Sequence, residues 1–83
     1  MIRRATFTET PPPGDYVVST TGLTWSVDRR GDNGIVMRVV AGEPNKKGAL
    51  ARALELAAGS REDVWETFGT GSYRLVKRFR VAA

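Results

Sequence analysis

Hydrophobic and polar positions alternate with a period of two along most of this chain, and the period changes once, over residues 45–59. Residues 3–9 set Ala5 and Phe7 among threonines and charged residues. They predict a short strand, stopped by Pro11-Pro12-Pro13-Gly14. Three prolines donate no ladder hydrogen bonds and favour extended backbone, so this segment is expected to be a stiff connector along a sheet edge. From Asp15 the residues become strong strand formers: Tyr16, Val17 and Val18, then Leu23, Trp25 and Val27 sharing one face. Gly22 marks either a tight turn or a bulge, and one long, bulged or broken strand is the form expected. Residues 29–34 carry loop chemistry, with Asn33-Gly34 as a hairpin signal. The Arg30-Gly31-Asp32 tripeptide within them has the integrin-binding form, which a chain without a secretory leader is not expected to use. Residues 35–41 are apolar on both faces except at Arg38, the pattern of a central strand covered on two sides.

The stretch from Gly42 to Ser60 predicts a helix. Asn45 suits the N-cap, with Pro44 in a first-turn position as the alternative start, and Gly59 suits the residue just past the end. At 100° per residue, Leu50, Ala53, Leu54 and Ala57 centre the expected core face. Gly48, Arg52, Glu55 and Gly59 make a narrow polar stripe. Ala49, Ala51, Leu56 and Ala58 on the flanks leave the helix under-supplied with polar surface. Ala51, Leu56 and Ala58 are therefore candidates for a face against a symmetry mate or partner. Residues 61–68 allow a capped first helical turn or a strand, and the strand followed by a hairpin loop at Gly69-Thr70-Gly71 is the form expected. In the last segment, residues 72–81, Tyr73, Leu75, Phe79 and Val81 point one way. Arg74, Val76, Arg78 and Arg80 point the other, an arginine ladder.

These elements assemble into one domain over residues 1–83: an α+β fold of order β-β-β-α-β-β, an antiparallel sheet of about five strands with the helix on one face. Trp25, Met37, Val39, Leu50, Leu54, Tyr73, Leu75 and Phe79 are the expected core.

Charge then narrows the chemistry. Thirteen Lys and Arg against nine Asp and Glu give a net charge of +4, which suits an acidic partner such as nucleic acid. The basic residues cluster at Arg3-Arg4, Arg29-Arg30, Lys46-Lys47 and Arg74 to Arg80. The uncovered sheet face is expected to present Arg38, Arg74, Arg78 and Arg80 for contacts to phosphates or an acidic surface, unless cross-strand acids such as Glu9, Asp28 or Glu66 occupy them. Lys46 and Lys47 at a helix start oppose the dipole by only a few tenths of a kcal/mol each, and with Asn45 they form an alternative anion site. The chain contains no cysteine and no histidine. The commonest general base, the commonest metal ligand and thiolate chemistry are thus excluded, and no cofactor, metal or enzymatic activity is expected. With no long apolar run and no leader at Met1-Ile2-Arg3-Arg4, the expectation is no membrane association and a cytoplasmic location.

The lead-in TFTETPPPGDYVV, residues 6–18, and the later VVAGEPNKKGALARALELAAGS, residues 39–60, are similar to the small anti-CRISPR proteins of phages that act on type I effector complexes, the I-F inhibitors in particular. The segment around Thr20 to Trp25 is additional to that pattern. The resemblance implies stoichiometric inhibition: binding to a protein subunit of the CRISPR-Cas effector complex and blocking DNA or nuclease engagement. It assigns no residue roles. Residues 24–58 also resemble the arm-type DNA-binding domain of integrases, in which a three-stranded sheet enters the major groove, so a small basic DNA-binding module is the alternative. A phage-type accessory protein that dimerises through its helix is a third reading.

Overall fold

The computed structural model describes residues 11–32, 36–67 and 72–79. Among them lie β1 Tyr16–Thr21, β2 Thr24–Arg30, β3 Val36–Glu43, α1 Lys46–Ser60, β4 Val64–Thr67 and β5 Tyr73–Lys77. The order β-β-β-α-β-β and the helix packed on one face of a five-stranded sheet are those expected. The chain is divided differently. The strand expected over 3–9 lies outside the described residues, and the stretch expected as one bulged or broken strand is the β1–β2 hairpin. Thr21 pairs with Thr24, so Gly22 and Leu23 form a two-residue turn. The positive φ of Gly22, 64°, at the first central position fits a turn whose twist matches antiparallel strands.

The sheet order is β3-β2-β1-β4-β5. Every pairing is antiparallel except β1 with β4, which run parallel from Tyr16↔Val64 to Val18↔Glu66. The sheet is therefore mixed, not antiparallel throughout. The cause is the crossover. In the meander β1-β2-β3 the first and third strands share a direction, and a helix after β3 returns the chain to the end where β3 began. The next strand must then run with β3, and its place beside β1 makes that pair parallel.

Facing the helix are Tyr16 and Val18 from β1, Val27 from β2 and Val64 from β4. All are buried against Ala49, Ala53 and Ala57. Trp25, Val40, Leu50, Leu54, Leu56 and Phe79 pack around this centre and stay half-buried. The helix thus meets the sheet along a row of alanines at i, i+4 and i+8. The expected core leucines, Leu50 and Leu54, flank that row. Small side chains bring the helix close to the sheet, and the large residues fill the margins. Met37, Val39 and Leu75, expected in the core, are 67%, 43% and 36% exposed.

Asn45 caps α1 as expected, its Oδ1 accepting from the Gly48 N–H at 2.8 Å. The other end differs. Gly59 lies inside the helix, and the left-handed residue is Arg61, φ 60°. Glu62 N–H donates to the Ala57 carbonyl at 3.0 Å, the long bond of a Schellman-type end. Tertiary pairing overrides the local signal here, because Asp63 and Val64 must reach Tyr16: Tyr16 N–H donates to the Asp63 carbonyl at 3.0 Å. A helical glycine costs about 1 kcal/mol relative to alanine, which such anchoring can offset. Residues 64–67 form a strand that pairs with β5, the expected hairpin.

Candidate functional site

The basic residues expected on one face are distributed over two faces and opposite edges. Among the described residues β3 and β5 bound the sheet, so Arg38 and Arg74 lie at opposite edges and do not share a patch. Arg38 pairs across the ladder with Asp28 on the face away from the helix, Nε to Oδ1 at 3.0 Å. Arg74 pairs with Glu66, Nε to Oε2 at 2.7 Å, on the helix side, where Lys46 Nζ also reaches Glu66 Oε1 at 2.5 Å. The expected arginine ladder is interrupted for two reasons. A register shift between Val64 and Trp65 breaks the alternation of β5, and the strand ends at Lys77. Beyond it, Arg78 Nε donates to Asp63 Oδ2 at 3.3 Å, while the Phe79 N–H donates to Asp63 Oδ1 at 2.9 Å. Arg80 lies outside the described residues. The cross-strand alternative therefore holds for two of these arginines, with Asp28 and Glu66 as the acids.

Each of these arginines meets a carboxylate that is itself buried: Asp28, Asp63 and Glu66 are 8%, 2% and 4% exposed. A buried carboxylate without partners would be expensive, so the arginines neutralise the sheet's own acids. Glu66 is explicit in this respect. Burial pushes its pKa up, yet the hydrogen bonds and charges of Lys46 and Arg74 together hold it below its ordinary 4.5. On the exposed side, the bond to Asp28 raises the pKa of Arg38.

Lys46 is likewise occupied. Its ammonium bridges to Glu66 and lies 5.9 Å from the centre of the Trp25 ring, and Asn45 is used in capping, so the expected anion site at the helix start is not assembled. Glu43 adds to this: a Cβ at Gly48 would sit 2.7 Å from Glu43 Oε1, so the first turn of the helix already has a carboxylate against it. Lys47 is exposed. Of the expected helix face, Ala51 and Ala58 are exposed, and Leu56 is half-buried on the opposite flank. Ala51 instead joins Leu50, Leu54, Lys46 and Lys47 around a shallow apolar groove.

Two features carried no signal in the sequence. Asp15, wholly buried, accepts from the Asp63 N–H at 3.1 Å and from Trp65 Nε1 at 2.9 Å, tying β1 to β4 at the start of their parallel pairing. Neither partner is near Asp15 in sequence, so only the fold reveals the contact. The second is the edge strand. β3 was expected to be central and covered; it lies at the edge, with Val36 and Met37 50% and 67% exposed. Its apolar residues fall on both faces: Val36 beside Arg30 and Arg38 on the side away from the helix, Met37 beside Arg29 on the helix side. The register shifts of the β2–β3 ladder lie around Val27 and Val40.

No protein-family model matches the chain, and neither a curated protein nor a solved structure is significantly similar to it. Among the described residues there is no group of three or more acidic, His or Cys side chains placed to hold a metal ion. No helix among them is long and apolar enough to cross a membrane.

Proposed function

We propose that this chain is a non-enzymatic binding protein whose partner is another protein, gripped along the β3 edge. The observation that supports it is the exposure of Val36, Met37 and Val39 on that one strand. An edge strand that is apolar on both faces invites a partner that covers both, by adding a strand or by closing a groove around it. Arg38, Arg74 and Arg78, committed to Asp28, Glu66 and Asp63, leave fewer free cations for a phosphate backbone than the thirteen Lys and Arg of the chain suggest. Following the resemblance to anti-CRISPR proteins, the proposed partner is a subunit of a type I CRISPR effector complex, held stoichiometrically so that DNA or nuclease engagement is blocked.

The test is co-elution of the protein with a purified type I effector complex on gel filtration, beside binding to random duplex DNA at two salt concentrations. Co-elution that is lost in Met37→Asp/Val39→Lys, with the fold intact by circular dichroism, is the expected result. Co-elution unaffected by that double substitution would remove β3 from the interface. Salt-sensitive binding to duplex DNA with no affinity for the effector complex would replace this reading with that of the arm-type DNA-binding module. A dimer that dissociates in the double variant would assign the edge to self-association.

A further inference from the structure

On the face of the sheet away from the helix lies a cavity of about 90 Å³, bounded by Val17, Ser19, Val36, Thr67 and Tyr73 and by the charged pair of neighbours on β2, Asp28 and Arg30. The two charges differ in state. Asp28 already holds Arg38 at 3.0 Å and accepts from Ser19 Oγ at 3.4 Å. Arg30 uses its backbone, the N–H donating to the Asp15 carbonyl at 3.0 Å and the carbonyl accepting from the Gly14 N–H at 2.7 Å. Its side-chain Nε, however, is buried and has no hydrogen-bond partner. A buried guanidinium nitrogen without an acceptor loses its hydration and gains nothing in return, a state native proteins rarely retain without a use.

We propose that this cavity is a site for a compact oxyanion, a carboxylate or phosphate group whose oxygens accept from the fork of Arg30. Four observations bear on the ligand class. Arg30 is the unneutralised charge of the cavity, since Asp28 is balanced by Arg38, so the site is net positive and rejects a metal cation or an ammonium. A guanidinium presents parallel N–H donors, which match two oxygens of one planar or tetrahedral anion better than a single acceptor. Thr67 and Tyr73, both hydroxyl-bearing, line the same cavity and are candidate neutral donors. The cavity is small, about 90 Å³, which suits a small anionic group. This site shares Val36 with the β3 edge but does not rest on the identity of the protein partner.

Titration with sodium phosphate, and separately with sodium acetate, at constant ionic strength tests it, followed through the Arg30 Nε–Hε signal and the Ser19 and Thr67 amide signals in ¹H–¹⁵N spectra. Sodium chloride is the control. The expected result is a saturable shift of all three signals with at least one oxyanion. For the two amides, the affinity falls by about tenfold or more in Arg30→Met, as loss of a charge-assisted contact implies. Tyr73→Phe, which keeps the ring and removes only the hydroxyl, is expected to weaken binding by a smaller factor and serves if Arg30→Met does not fold. A shift equal to that with chloride, no saturable shift with either anion, or unchanged affinity in the variants that fold would overturn the proposal. The two anions distinguish a planar from a tetrahedral preference.

Discussion

At the scale of single residues, the acids organise this protein and the bases follow. Asp15 is the clearest case, because its two oxygens take the Asp63 N–H and the Trp65 indole N–H, at 3.1 and 2.9 Å, out of contact with water. Asp15→Ala leaves both donors buried without that acceptor. The expected loss is about 2–4 kcal/mol of unfolding free energy, read from urea denaturation, with Asp15→Asn less severe because its carbonyl oxygen still accepts. Glu66 gives a pH dependence. Its folded pKa lies below the ordinary 4.5, so the stabilisation is present above that value and is lost as pH falls through the lower, folded value. The urea midpoint of the protein is therefore expected to drop between neutral pH and pH values below 4.5 more steeply than that of Glu66→Gln. Arg78 illustrates the converse lesson. From the sequence it belongs to an outward ladder, and Arg78→Glu looks like a clean probe of binding. Beside the buried Asp63, the same substitution sets two carboxylates together, and any loss of binding would be confounded by loss of fold.

At the scale of elements, the helix and its ends were readable in part. Asn45 as the cap follows from its short acceptor side chain just before the helical period begins, and the period marks 45–59 against the strands on either side. The inward face followed in part: Ala53 and Ala57 were expected on it and are buried. An alanine counts as weakly apolar in any pattern of hydrophobicity, so the stripe was centred about one residue too far round, with Leu50 and Leu54 in it and Ala49 on its flank; sheet geometry puts Ala49 at the centre and the two leucines at the margin. Ala53→Leu is expected to force the helix off the sheet and to lower stability by about 1–3 kcal/mol, measured by the thermal midpoint. The C-terminal end was misread for a related reason, since Gly59 is the local signal and Arg61 is the residue held left-handed. Arg61→Gly relieves that conformation. A gain of about 1 kcal/mol in urea denaturation is expected, because no other role of the exposed Arg61 side chain is seen among the described contacts.

At the scale of the whole molecule, strand order is what the sequence could not convey. Period-two patterning fixes which residues share a face but is silent on which strand lies beside which, and the apolar run at 35–41 is equally the mark of a strand in the middle and of an edge kept for a partner. The exposure of Val36, Met37 and Val39 shows an edge, and under the proposed function that edge is one kept for a partner. Val39→Lys is expected to change the stability of the isolated protein by less than about 0.5 kcal/mol, as a surface substitution does, while reducing retention of the protein partner. Equal losses in urea midpoint and in co-elution would mean that the residue supports the sheet itself. The proposed Arg30 site was invisible in the sequence for the same topological reason. Arg29-Arg30 is an ordinary basic pair until β1, β4 and β5 are arranged around one of its members.

The parallel pairing of β1 with β4 also sets how the chain reaches its native state. β1, β2 and β3 are neighbours in sequence and can associate through short turns, as can β4 and β5. The seam between the two groups joins residues as far apart as Asp15 and Asp63, 48 positions along the chain, with the whole of the helix between them. Closure of a loop that long must be met before any seam contact forms, and topologies rich in such distant contacts fold slowly. The seam is thus the natural bottleneck of folding. A chain waiting at it would carry an unfinished β1 edge in addition to the exposed β3, and the time spent there governs how much of the protein is lost to aggregation before it is complete.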